Sequence, residues 1–155
     1  MHNRLKQLGA REGINFSIQG KIGNTRDGHR LVQLAKTKSN EVENATVTEL
    51  FKSYFERDGD VTSREDIVDA GLRAGLGDKA EIEKWLDEGA GGEEVDREVQ
   101  DAYRRGIHGV PNFLINGKYQ IDGAQEAETF LQSLLRIKKA EAPAAKDSLS
   151  EGVSC

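Results

Sequence analysis

The sequence predicts an α/β chain that is mostly helical, in which a block of amphipathic helices runs into a β-hairpin and a last helix. Three observations carry this. Between residues 24 and 106 apolar residues recur at helical spacing, in stretches that open on residues able to cap a helix. At Phe113-Leu114-Ile115 the period changes to consecutive apolar residues, as in a strand covered on both faces. Asn116-Gly117 follows at once, and this pair signals a hairpin, because a type I′ turn needs positive φ at both central residues.

The elements follow in order. Leu5 to Ala10 suits a short helix closed by Gly9 or Gly13. Residues 14–19 alternate apolar and polar, as a short strand or extended segment does. Asn24-Thr25 can cap a helix striped by Leu31, Leu34 and Ala35 that ends near Lys38. Thr46-x-x-Glu49 has capping-box spacing and opens a helix to Arg57. Its Val47, Leu50, Phe51, Tyr54 and Phe55 form the richest apolar face in the chain and are expected in the core, as is Trp85. Ser63 caps a third helix with Ile67, Val68 and Leu72, which stops around Gly75 to Gly77. Asp78-x-x-Glu81 opens a fourth with Ile82, Trp85 and Leu86. After a glycine-rich turn at 89–92, Glu93 to Arg105 reads as a fifth, with Val95, Val99, Ala102 and Tyr103 inward and Gly106 past its end. Beyond the hairpin, with Tyr119 to Asp122 as return strand, Gln125 to Lys139 suits a final helix, and residues 140–155 read as a disordered tail.

Composition narrows the function classes. At 155 residues the chain can bury a core, yet only 36% is hydrophobic and 32% is charged, so a thin core under a polar surface is expected. The net charge of -5 argues against a nucleic-acid footprint. No apolar run approaches the roughly 20 residues of a membrane span, and Met1 to Lys6 lacks the apolar core of a signal peptide. A cytoplasmic location is therefore expected. His2, His29 and His108 lack ligand spacing, so neither metal nor cofactor is expected. The one cysteine, Cys155, can make no internal disulfide, and an isolated thiol near its reference pKa of about 8.5 reacts sluggishly.

Two stretches carry a family resemblance. Gly109-Val110-Pro111-Asn112-Phe113, the hairpin and Gly123-Ala124-Gln125 resemble the second half of a thioredoxin-like domain. Gly23-Asn24-Thr25-x-x-Gly28-His29-Arg30-Leu31 is similar to the Asn-Thr-x-x-Ala-His-Arg-Leu segment of DsbA-like proteins, with Gly28 for the usual alanine. Together they resemble the DsbA-like family, nearest to its FrnE-type branch, over roughly residues 4–137. The resemblance implies a partial thioredoxin domain over residues 1–139, with a helical insertion at about 24–106 and a β-β-α unit at about 109–139. It implies a cis-proline loop at Val110-Pro111, whose backbone faces an extended substrate. It places Asn24, Thr25 and His29 near the same cleft. The family's Cys-x-x-Cys opens its first helix, and related isomerases and kappa-class glutathione transferases use a serine there. Neither position has a counterpart in these residues, so the resemblance implies no catalytic residue here and a domain lacking its amino-terminal half.

Three functional readings follow. The first is a thiol-disulfide oxidoreductase relative, inactive alone in exchange. The second is a non-catalytic module that binds a peptide or dimerises through the Val110-Pro111 cleft and the edge of the Phe113, Leu114 and Ile115 strand. That strand lacks its central neighbour in the family's sheet and could pair with a second copy, be covered by residues 14–19, or await a longer polypeptide. The third is a non-redox enzyme using His29 or His108 as acid or base, with no nucleophile evident. The partners expected are a peptide or protein substrate or a second copy, with no nucleic acid and no membrane.

Overall fold

The computed structural model describes residues 2–17 and 19–142. The expected tail from residue 143 onward, and Ile18 within the expected strand, lie outside the described residues. The chain divides into two compact units, Met1–Asp101 and Ala102–Cys155. The first holds α1 (His2–Arg11), α2 (Arg26–Lys36), α3 (Asn40–Glu56), α4 (Arg64–Arg73), α5 (Lys79–Asp87) and most of α6 (Gly92–Arg104). The second holds the end of α6, β1 (Asn112–Ile115), β2 (Tyr119–Asp122) and α7 (Ala127–Glu141). The mostly helical α/β class with one small antiparallel sheet is what the periodicity predicts.

Several helix starts follow their caps. Ser63 accepts from the Asp66 amide and Asp78 from the Glu81 amide, opening α4 and α5 where the sequence places them. The capping box at Thr46 does not form. Ser39 caps α3 instead, accepting from Val42 N, so the helix begins about two turns earlier. Acidic Glu41 and Glu43 in its first turn suit the positive end of the helix dipole. Thr46 is fully buried in mid-helix, where its hydroxyl donates to the Val42 carbonyl.

The core of the first unit lies among α2, α4 and α5. Leu31, Leu34, Ala35, Ile67, Val68, Leu76, Ile82 and Leu86 are buried against one another, with Trp85 and Leu50 half-buried at the margin. Val95 is buried, but Val99 and Tyr103, expected inward, are 48% and 64% exposed. The first turns of α6 are held to the first unit by charge. Arg26 forks onto Asp96, and Glu98 takes Lys36 at 2.5 Å and Gln33 at 2.9 Å. Residues 14–17 and 19–20 form neither helix nor strand; Ser17 N donates to Phe55 O and Gln19 N to Asp58 Oδ1. These bonds commit the segment to the end of α3.

Arg30 joins these helices. It is buried, yet its guanidinium donates to Trp85 O at 3.1 Å, Leu86 O at 2.8 Å and Ala90 O at 2.9 Å, while Asp27 accepts at 2.6 Å. The Trp85 indole N–H returns a bond to Arg30 O at 3.0 Å. Trp85 O and Leu86 O also accept from Ala90 N and Gly89 N in the turn after α5, so this side chain adds to that turn and ties the end of α5 to α2. Gly91 makes the approach possible. Its φ is 76°, and a Cβ there would lie 3.0 Å from the Trp85 ring and 3.3 Å from Arg30 O.

In the second unit the hairpin register is Asn112↔Asp122, Phe113↔Ile121, Leu114↔Gln120 and Ile115↔Tyr119. Asn116 and Gly117 have φ of 52° and 66°, as the predicted turn requires. Phe113 meets Phe130 of α7 edge to face at 4.8 Å, and Asn116 Nδ2 donates to Glu141 Oε2.

Two outcomes are expected. Arg30→Lys cannot reproduce the planar fork and should destabilise the chain by about 3 kcal/mol; denaturant unfolding measures this, and a loss below about 1 kcal/mol would reduce the latch to a surface pair. The second concerns acid. Hydrogen bonds from Arg26 hold the Asp96 carboxyl below its usual range. Burial works against charge on Glu98, but hydrogen bonds from Lys36 and Gln33 outweigh it and leave that carboxyl lowered too. Groups depressed in the folded state stabilise it above their unfolded pKa of about 4, and that contribution disappears as pH falls through the folded values. Thermal unfolding should therefore move to lower temperature only below about pH 5, and Glu98→Gln should flatten part of that fall.

Candidate functional site

The first unit contains a cleft of about 450 Å³. One wall is the start of α2, with Thr25, Gly28, His29 and Val32; the other is α3, with Val47, Leu50, Phe51, Tyr54 and Phe55. Ile22, Val61 and Ile67 also line the cleft. Helical spacing places the α3 side chains on one face, and Tyr54 packs on Phe55 edge to face at 4.8 Å. This face was expected in the core. It lines an open cleft instead, with Phe51 60% and Phe55 40% exposed, because the buried core lies on the α4 and α5 side of α2.

Few polar groups face the cleft uncommitted. Asp66 accepts from the Asp60 amide, and Asp60 accepts from the Thr62 hydroxyl and amide and pairs with Lys21 at 3.4 Å. Those hydrogen bonds from Thr62 hold the Asp60 carboxyl below its ordinary value. Of the remaining polar residues, Thr25, the exposed His29, Ser53 and Tyr54 also line the cleft. The cleft therefore offers apolar contact with a histidine edge, and among its described residues there is no cysteine.

The second unit carries the Val110-Pro111 loop. This peptide bond is cis, and Val110 is 90% exposed at the head of β1. Pro111 O accepts from Gly123 N at 2.8 Å, and Asn112 Nδ2 donates to Asp122. The loop is thus fastened to the far end of β2 while its outer backbone stays open.

The expected site residues fall in two groups. Thr25 and His29 line the same cleft, whereas Asn24 does not; its side chain accepts from Arg26 N and shapes the start of α2. Val110 and Pro111 belong to the second unit. His108 is exposed there, 6.2 Å from the Tyr103 ring. Sequence reading missed Arg30, although Asp27-x-x-Arg30 is ion-pair spacing on a helix and Arg30 adjoins the buried Leu31.

A family model for the DSBA-like thioredoxin domain matches residues 1–135. The chain belongs to this family. The match spans both stretches read in the sequence as a resemblance, around His29 and Val110-Pro111. A solved structure of a probable DsbA oxidoreductase from Streptomyces coelicolor is similar at a TM-score of 0.76 and 29% identity, over 91% of this chain. The chain spans 60% of that relative's length. Among curated proteins, none matches.

Proposed function

We propose that this DsbA-like chain carries substrate-side elements of the family's site and does not itself exchange thiols and disulfides. One observation carries the reading: the 155 residues contain a single cysteine, Cys155, at the last position. Exchange needs a thiolate to attack and a second thiol to resolve the mixed disulfide. A lone thiol can begin that sequence but needs a thiol from another molecule to finish it. The exposed Val110 beside Pro111 supports a role in presenting backbone to an extended peptide. The Asn24-Thr25-x-x-Gly28-His29-Arg30-Leu31 segment favours the FrnE-type branch, and a single cysteine fits a reducing, cytoplasmic setting.

A second reading is a non-catalytic module that takes a peptide, or a second copy, on the Val110-Pro111 loop and the edge of β1. It rests on β1, which pairs only with β2 among the described residues and leaves Phe113 and Leu114 40% and 42% exposed.

Insulin reduction and dithiol oxidation by the purified chain test the main reading. Turnover no faster than that of a free thiol is expected for the chain and for Cys155→Ser. Clear turnover that survives Cys155→Ser would overturn it.

A further inference from the structure

We propose that Asn116 is a deamidation site, and that the carboxylate formed there repels Glu141 and loosens the end of α7. This goes beyond the readings above and depends on neither thiol exchange nor a bound peptide. In deamidation the backbone nitrogen of the following residue attacks the asparagine side-chain amide carbon. The amide nitrogen leaves as ammonia, taking the proton of the attacking N–H, and a five-membered succinimide closes. Water then opens this ring to aspartate or isoaspartate. A side chain on the following residue shields the attacking nitrogen, so glycine is the most permissive neighbour. Asn116 precedes Gly117, and no other asparagine of the chain precedes a glycine; Asn24 is followed by Thr25 and Asn44 by Ala45. Asn116 and Gly117 are both exposed at the tip of the hairpin. The bond that closes their turn comes from Lys118 N to Ile115 O at 3.1 Å, so Gly117 N is not the donor that closes it.

A second observation gives the reaction a structural consequence. Asn116 Nδ2 donates to Glu141 Oε2 at 2.7 Å, and Glu141 is the last residue of α7. An ionised carboxylate has no donor to offer. Deamidation therefore removes the hydrogen bond and sets two like charges where it stood. The new charge also lies at the carbonyl end of α7, where the helix dipole disfavours an anion. Asn116 has a φ of 52°, a conformation that aspartate tolerates as asparagine does. The aspartate product thus keeps the turn while losing the contact; isoaspartate adds a methylene to the backbone and lengthens the turn as well. Phe113 still packs on Phe130 in the first turn of α7, so the loosening is confined to the far end of that helix. While the turn and the bond to Glu141 hold, the side-chain amide is kept in place, so the reaction runs through openings of the hairpin tip.

Incubation of the full chain at neutral pH, followed by peptide mapping with isoaspartate detection, tests the site. Conversion at Asn116 is expected to outrun that at Asn24 and Asn44 severalfold. Amide exchange tests the consequence. Asn116→Asp should speed exchange at Lys139, Ala140 and Glu141 about fivefold, the effect of one net hydrogen bond lost, and leave Phe130 unchanged. Adding Glu141→Gln should restore slow exchange, because the glutamine amide supplies a donor to the new carboxylate. Asn116→Gly removes the contact without adding charge and should speed exchange less. Conversion at Asn116 no faster than at Asn24 and Asn44 would overturn the site. Exchange at the end of α7 that ignores Asn116→Asp, or that Glu141→Gln fails to restore, would overturn the coupling to Glu141.

Discussion

The Arg30 guanidinium sits against the last carbonyls of α5, adding side-chain donors to Trp85 O and Leu86 O, which also accept from Ala90 N and Gly89 N in the turn that follows. A buried cation is costly unless its donors and its charge are both met. Here Trp85 O, Leu86 O and Ala90 O take the donors, and Asp27 meets the charge. The dipole of α5 adds to this, since its carbonyl end favours a cation. The returning bond from the Trp85 indole makes the contact reciprocal. With α5 fixed to α2, Ile82 and Leu86 close over Leu31, and α4 completes the core.

The cleft depends on the same constraint. Burial of Leu31, Leu34 and Ala35 turns one side of α2 toward α4 and α5, and the opposite side, with Thr25, Gly28, His29 and Val32, is left to face α3. The aromatic face of α3 therefore lines a space. This helps to explain why a chain with 36% hydrophobic residues still exposes large apolar side chains: its thin core does not use them. In the second unit Phe113 packs on Phe130 and Asn116 bonds Glu141, which seats α7 on the hairpin while Phe113 and Leu114 stay partly exposed.

Local chemistry made much of this legible. Ser63 and Asp78 cap the helices they were expected to cap, and Asn116-Gly117 turns as its φ angles require, because those signals act over three or four residues. Family membership was legible in the motifs at His29 and Val110-Pro111, which the family match over residues 1–135 bears out. What failed was non-local. Thr46-x-x-Glu49 has the spacing of a cap, but Ser39 lies upstream with a compatible helical run, and tertiary burial takes Thr46. Periodicity identified the apolar face of α3, but it cannot say whether a partner helix covers that face. Arg30 was hidden for a similar reason: its partners lie 55 to 60 residues away in sequence.

Native-state hydrogen exchange on α5 tests the central claim most directly, that the Arg30 latch makes this helix an integral part of the first unit. The amides of Trp85, Leu86 and Glu88 should exchange only through global unfolding of that unit, at the same free energy as those of Leu31 and Leu34 in α2. Exchange of α5 by a separate opening at lower free energy, with α2 still protected, would contradict it.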